Sequence, residues 1–166
     1  MIAVIMGVAG AGKSTVGQLL ATELGCRFLD GDLLHSPANI EKMTHGIPLT
    51  DADRGPWLMA IHLRIAESFE RGECLVVACS ALKQKYRDTL EAGVAVTWVY
   101  LKGSEELIRE RLQQRQHHFM KAGMLASQFA DLEEPANAIV LDVSVEPTMA
   151  VAQIVTALNM SPIKAS

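Results

Sequence analysis

The chain has 166 residues, 49% of them hydrophobic and 20% charged, which is the composition of one globular domain with a substantial core and excludes a disordered segment. A net charge of −4 gives no electrostatic footprint for nucleic acid or an anionic membrane, so neither is expected as a partner. Three cysteines, Cys26, Cys74 and Cys79, form no C-x-x-C pair and have no metal-ligand spacing. Buried free thiols at Cys74 and Cys79 and a cytoplasmic location are the expectation.

In chain order, the apolar run Ile2 to Met6 reads as a buried strand, with no basic stretch ahead of it such as a secretory leader carries. It passes straight into Gly7-Val8-Ala9-Gly10-Ala11-Gly12-Lys13-Ser14, which matches the phosphate-loop pattern G-x-x-x-x-G-K-[ST] at every fixed position. A helix is predicted from Lys13 to Leu24, with Val16, Leu19, Leu20 and Leu24 as its apolar side and Gly25 as its stop. In isolation the octet also reads as a Gly/Ala-rich turn. Between a strand and a helix it is a cradle of inward N–H groups backed by the positive end of a helix dipole. Lys13 is then placed for the β/γ-phosphates of a nucleotide and Ser14 for Mg²⁺, with Gly7 to Thr15 as the nucleotide contact.

A short strand, Arg27-Phe28-Leu29, leads into Asp30-Gly31-Asp32. Ligands of open parallel sheets bind at the carboxyl ends of strands. That puts Asp30 and Asp32 beside the phosphate loop, as support for Mg²⁺ or as a base for a hydroxyl, although solvated turn aspartates share the pattern. His35 precedes a short helix with Pro37 near its start, and reads equally as a substrate contact or a capping residue. Asp51 and Asp53 open a longer helix. Its apolar stripe Trp57, Leu58, Ile61, Ile65 and Phe69 is core, and Arg64, Glu67 and Arg71 mark its wet side. Arg54 reads either as an anion contact or as a surface partner of Asp51 or Asp53.

Cys74 to Cys79 and Val94 to Leu101 are buried-strand runs. The basic cluster Lys83, Lys85 and Arg87 follows the first of them at the ligand edge, as a solvated face or as substrate contacts. Ser104-Glu105-Glu106 starts a helix in which Arg111 and Arg115 share a face. The polar insertion at about 116–126 suits a lid whose arginine neutralises a moving phosphoryl group. His117 and His118 lack partners at metal-ligand spacing. Ala138 to Val143 is a last strand, expected at the sheet's edge, with Asp142 as a turn residue. A helix from Pro147 to about Leu158 precedes a frayed tail at 161–166. Alternating strands and helices predict one α/β domain over residues 1–160, a three-layer, doubly wound parallel sheet of about five strands.

A resemblance narrows the function. The phosphate loop, Asp30-Gly31-Asp32 through His35 to Asn39-Ile40-Glu41-Lys42-Met43, Gly46-Ile47-Pro48-Leu49, Asp53-Arg54, Pro56-Trp57-Leu58, Ser80-Ala81-Leu82-Lys83, Tyr86-Arg87-Asp88, Arg111-Leu112, Arg115, His118-Phe119-Met120 and Ser127-Gln128-Phe129 stand in the order of the gluconate kinase family. That family resembles shikimate and nucleoside monophosphate kinases. Ala9 and Ala11 stand where the family commonly has serines, and Ser36 separates His35 from Pro37. The resemblance implies ATP- and Mg²⁺-dependent phosphorylation of D-gluconate to 6-phospho-D-gluconate, or of another small hydroxy acid such as shikimate as the alternative, with a homodimer common among relatives. It implies Asp32 as base, Asp30 supporting Mg²⁺ through water, and Lys13 and Arg115 stabilising the transferring group. Arg111 would contact the nucleotide, and Asp32, His35, Arg54, Lys83 and Arg87 would contact the substrate.

Overall fold

Strand β1 (Ile2–Met6) is apolar throughout because it is covered on both faces, and all five residues are buried. The computed structural model describes residues 1–114 and 122–160. Strand β1 lies at the centre of a parallel sheet, with β3 (Leu75–Ala78) on one side and β4 (Val96–Lys102) on the other; Ile2 faces Leu75 and Val96. Strands β2 (Arg27–Asp30) and β5 (Ile139–Asp142) form the edges, giving the order β2-β3-β1-β4-β5. The five predicted strands all form, and the last lies at the edge as expected.

The two-residue period of the strands sorts side chains into two cores. Ala3, Ile5, Val76, Val99 and Leu101 face α1 (Lys13–Leu24) and α7 (Pro147–Met160), with Ile108 of α5 (Glu105–Gln114) and Leu125 of α6 (Ala122–Asp131) joining them. Ile2, Val4, Met6, Val77, Trp98 and Tyr100 face α3 (Asp51–Glu70) and α4 (Gln84–Leu90). Ile61 and Ile65 of α3 are fully buried there, each contributing about 1.5–3 kcal/mol. Phe69, expected in the same stripe, is 46% exposed, because it falls in the last turn of α3, just before the chain reverses at Gly72.

The helix boundaries follow local chemistry. Gly25 ends α1 at φ 65, in the left-handed region that glycine enters without strain. Thr50 and Asp53 form a reciprocal capping box at the start of α3. Ser36, the residue that interrupts the family pattern, caps α2 (Pro37–Thr44) by accepting a hydrogen bond from Asn39 N at 3.2 Å. Among the described residues, no helix is long and apolar enough to cross a membrane.

One cysteine expectation is corrected. Cys74 is not a free thiol but is bonded to Cys26, with their Cα atoms 4.8 Å apart. The pairing of β2 with β3 sets Arg27 opposite Leu75, so the residues immediately preceding the two strands become neighbours although 48 positions separate them. Cys79 is free and buried, and burial pushes its thiol up to about 12.

Candidate active site

The carboxyl end of β1 runs into the phosphate loop, where Gly10 (φ 81) and Gly12 (φ 94) turn the backbone through the left-handed region. Gly12 caps α1, so the loop lies against the N-terminus of that helix. Lys13 curls back over the loop and donates to Val8 O at 3.0 Å. Burial lowers its pKa, while the charges of Asp32 and Asp30 act to raise it.

Ser14 Oγ donates to Asp30 Oδ2 at 2.7 Å, which joins the first turn of α1 to the end of β2. The other oxygen of Asp30 accepts from Asp32 N at 3.1 Å and caps a single 3-10 turn, Gly31–Leu34, that periodicity did not reveal. That turn is pinned from two sides. Trp57 Nε1 donates to Gly31 O at 2.8 Å, and a Cβ at position 31 would lie 2.7 Å from Ala78 O, so only glycine fits. The result is an exposed Asp32 on a rigid base, with no hydrogen bond to its carboxylate among the described residues.

His35 stacks on Trp57, with ring centroids 4.2 Å apart. Burial lowers the imidazole pKa against the opposing pull of Asp32 and with help from Arg54. Asn39, a buried polar residue, fixes this corner through its amide, which reaches Asp53 O at 2.9 Å and His35 Nδ1 at 3.4 Å.

Arg54 donates to Tyr86 Oη at 3.0 Å and lies 3.5 Å from Asp131, not paired with Asp51 or Asp53. Lys83 shares Asp131 at 3.2 Å and reaches Asp51 at 3.5 Å, and Tyr86 also donates to Asp51. Lys13, Ser14, Asp32, His35, Arg54 and Trp57 line one cleft of about 470 Å³. Lys83 is outside its lining and is linked to Arg54 through Asp131, which both residues approach. A second pocket of about 290 Å³ opens on the other side of Gly12 and Thr15, against Arg111, Asp142, Val145 and Pro147. Asp142 ends β5 and accepts from Ser144 N at 2.7 Å, the turn role expected of it.

Arg87 is the residue whose placement departs from expectation. It is 2% exposed and is not part of the lining of the cleft, donating to Ala81 O at 2.9 Å and Leu82 O at 3.1 Å. Ala81 sits at φ 43, so Arg87 holds the strained loop that carries Lys83 rather than a ligand. Replacing Arg87 with Met is expected to cost about 3 kcal/mol, since two buried carbonyls lose their donor. Chemical denaturation checks this; an unchanged midpoint would return Arg87 to the surface. Arg115, His117, His118 and residues 116–121 of the expected lid lie outside the described residues, and so does the tail at 161–166; Ala122 to Ala126 of the lid belong to α6.

Trp57 as a site wall, Asp131 and the Pro147 pocket carry no signal in the sequence, and Asn39 and Gln128 stand there only as members of motifs. Trp57, a core residue by its helical spacing, does bury its ring while using its N–H on the site.

A phosphate loop at a strand end, with the Asp32 carboxylate lining the same cleft as Lys13 and Ser14, defines a phosphate-loop kinase of the small-molecule class. A family model described as an AAA domain matches residues 2–135. The gluconokinase of Gluconobacter oxydans is 48% identical over 135 residues, covering 81% of this chain and 76% of its own. Among solved structures, a sugar kinase from Janibacter sp. HTCC2649 superimposes with a TM-score of 0.90 at 41% identity, covering 99% of this chain and 98% of that one. A gluconokinase from Sinorhizobium meliloti 1021 gives 0.86 at 43%, covering 95% and 90%. The chain belongs to the gluconokinase family.

Proposed function

We propose that the protein transfers the γ-phosphoryl group of ATP to the 6-hydroxyl of D-gluconate, giving 6-phospho-D-gluconate. The observation that carries this reading is the single cleft in which Lys13 and Ser14 face Asp32, His35 and Arg54. Shikimate or another hydroxy acid is not favoured as the acceptor, because curated relatives at 40–48% identity carry the name gluconokinase.

Gly7 to Thr15 would cradle the phosphates, and the pocket against Arg111 and Pro147 would take the rest of the nucleotide. The residues present fit Mg²⁺: Ser14 Oγ and Asp30 are hard oxygen donors 2.7 Å apart, suited to one direct ligand and one through water. Bound there, Mg²⁺ would neutralise phosphate oxygens. Arg54, with Lys83 behind it, suits the gluconate carboxylate, and the His35–Trp57 stack forms a flat wall for the carbon chain. Asp32 takes the proton of the attacking hydroxyl, while Lys13, joined by Arg115, balances charge on the transferring group. Such chemistry draws on cytoplasmic ATP, and we place the enzyme there, a compartment in which the Cys26–Cys74 bond would stand open to reduction.

A coupled ADP-release assay over D-gluconate, other aldonic acids and shikimate tests the reading. D-Gluconate should give the fastest turnover, with the new phosphoester at C6 by NMR. Absence of gluconate-dependent ADP release would overturn it.

A further inference from the structure

Helix α6 reaches the phosphate loop through one side chain: Gln128 Oε1 accepts a hydrogen bond from Ala9 N at 2.7 Å, across 119 positions of sequence. A backbone N–H is only a donor, so this contact fixes which end of the carboxamide is oxygen. The planar amide then fixes the other end as well. Nε2 has two N–H donors and no partner among the described residues, while Gln128 is part of the wall of the cleft that holds Lys13 and Asp32. An oriented, unspent donor pair beside the third residue of a phosphate loop suits the oxygen of a terminal phosphoryl group.

We propose that Gln128 is a γ-phosphate-binding residue: Ala9 holds its oxygen so that its amide nitrogen donates to the group being transferred. The proposal rests on the kinase reading of this cleft but not on which acid is the acceptor. It predicts that Gln128 distinguishes a nucleoside triphosphate from a diphosphate. The competing role is a simple latch, in which the Ala9 contact docks α6 and nothing more.

Gln128→Glu separates the two. Glutamate keeps an oxygen for Ala9 N, so a latch survives, but it replaces the donor pair with a negative charge. By calorimetry, affinity for the non-hydrolysable analogue AMPPNP should fall about 10- to 100-fold, as expected for a lost charge-assisted hydrogen bond, while ADP affinity stays within about threefold. Gln128→Met removes both ends of the amide and should also weaken AMPPNP selectively. Turnover with ATP and D-gluconate should drop in both variants. Equal weakening of AMPPNP and ADP, or no change in either for Gln128→Glu, would overturn the proposal in favour of a latch. If the wild-type chain bound both nucleotides but failed to phosphorylate D-gluconate, the acceptor assignment would fall while the nucleotide comparison still decided the role of Gln128.

Discussion

Asp32→Asn is expected to lower kcat by about 10²- to 10⁴-fold, the range that a positioned general base supplies. The substitution keeps size and shape, so the 3-10 turn that carries it should stay in place. That turn is held by Asp30 at its first amide, by Trp57 at Gly31 O and by the close approach of Gly31 to Ala78 O. None of these contacts uses the Asp32 carboxylate. Binding of AMPPNP should therefore change by less than about threefold, since the cradle is made of backbone amides on a different element. The KM for D-gluconate should move less than kcat, because on the proposed reading Arg54 and the His35–Trp57 stack would supply separate contacts. Single-turnover measurements would isolate the chemical step. Turnover close to wild type would remove Asp32 from the role of base.

Lys13→Met should go further and leave no more than about a thousandth of the activity, because the cation proposed to balance the transferring phosphoryl group would be lost outright. Lys13 sits among Val8 O, Asp30 and Asp32, and burial and those two carboxylates pull its pKa in opposite directions. Removing its charge leaves the carboxylates facing incoming phosphates without a counterweight, so affinity for ATP should fall together with kcat. The fold should tolerate the change, since the methionine stem is apolar and the single hydrogen bond lost is to an otherwise ordinary loop carbonyl. Isothermal titration with ATP and the coupled assay read both effects. A variant that still turned over at a wild-type rate would count against the whole phosphate-loop assignment.

Much of the fold was legible because its signals are local. The run Ile2 to Met6 had to be a strand covered on both faces, the octet after it had to bend, and Gly25 had to stop the helix; each appears where expected. The Asp30-Gly31-Asp32 corner was readable as chemistry but not as geometry, because the glycine is demanded by Ala78 O, a residue 47 positions away. Arg87 was not legible. Its burial depends on Ala81 adopting a positive φ and turning a carbonyl inward, a choice that basic spacing on α4 cannot register. The Cys26–Cys74 bond required knowing that β2 pairs with β3 rather than with β1, which is a property of strand order. Asp131 and Gln128 meet the site through the docking of α6, so the motif around Gln128 carries a resemblance but not its contact with Ala9, and nothing in sequence marks the pairing of Asp131 with Arg54.

The Cys26–Cys74 bond has a further bearing on how the molecule is organised. Residues 27–73 lie in a covalently closed ring, and that ring contains Asp32, His35, Arg54 and Trp57, most of the machinery that would meet the acceptor. The nucleotide cradle lies outside it. On the proposed reading, most of the groups that would select the acceptor therefore share one cassette whose two ends emerge side by side, tied to the nucleotide cradle through the Ser14–Asp30 hydrogen bond, so a related kinase's segment that kept an aspartate at position 30 could be spliced in at a single seam.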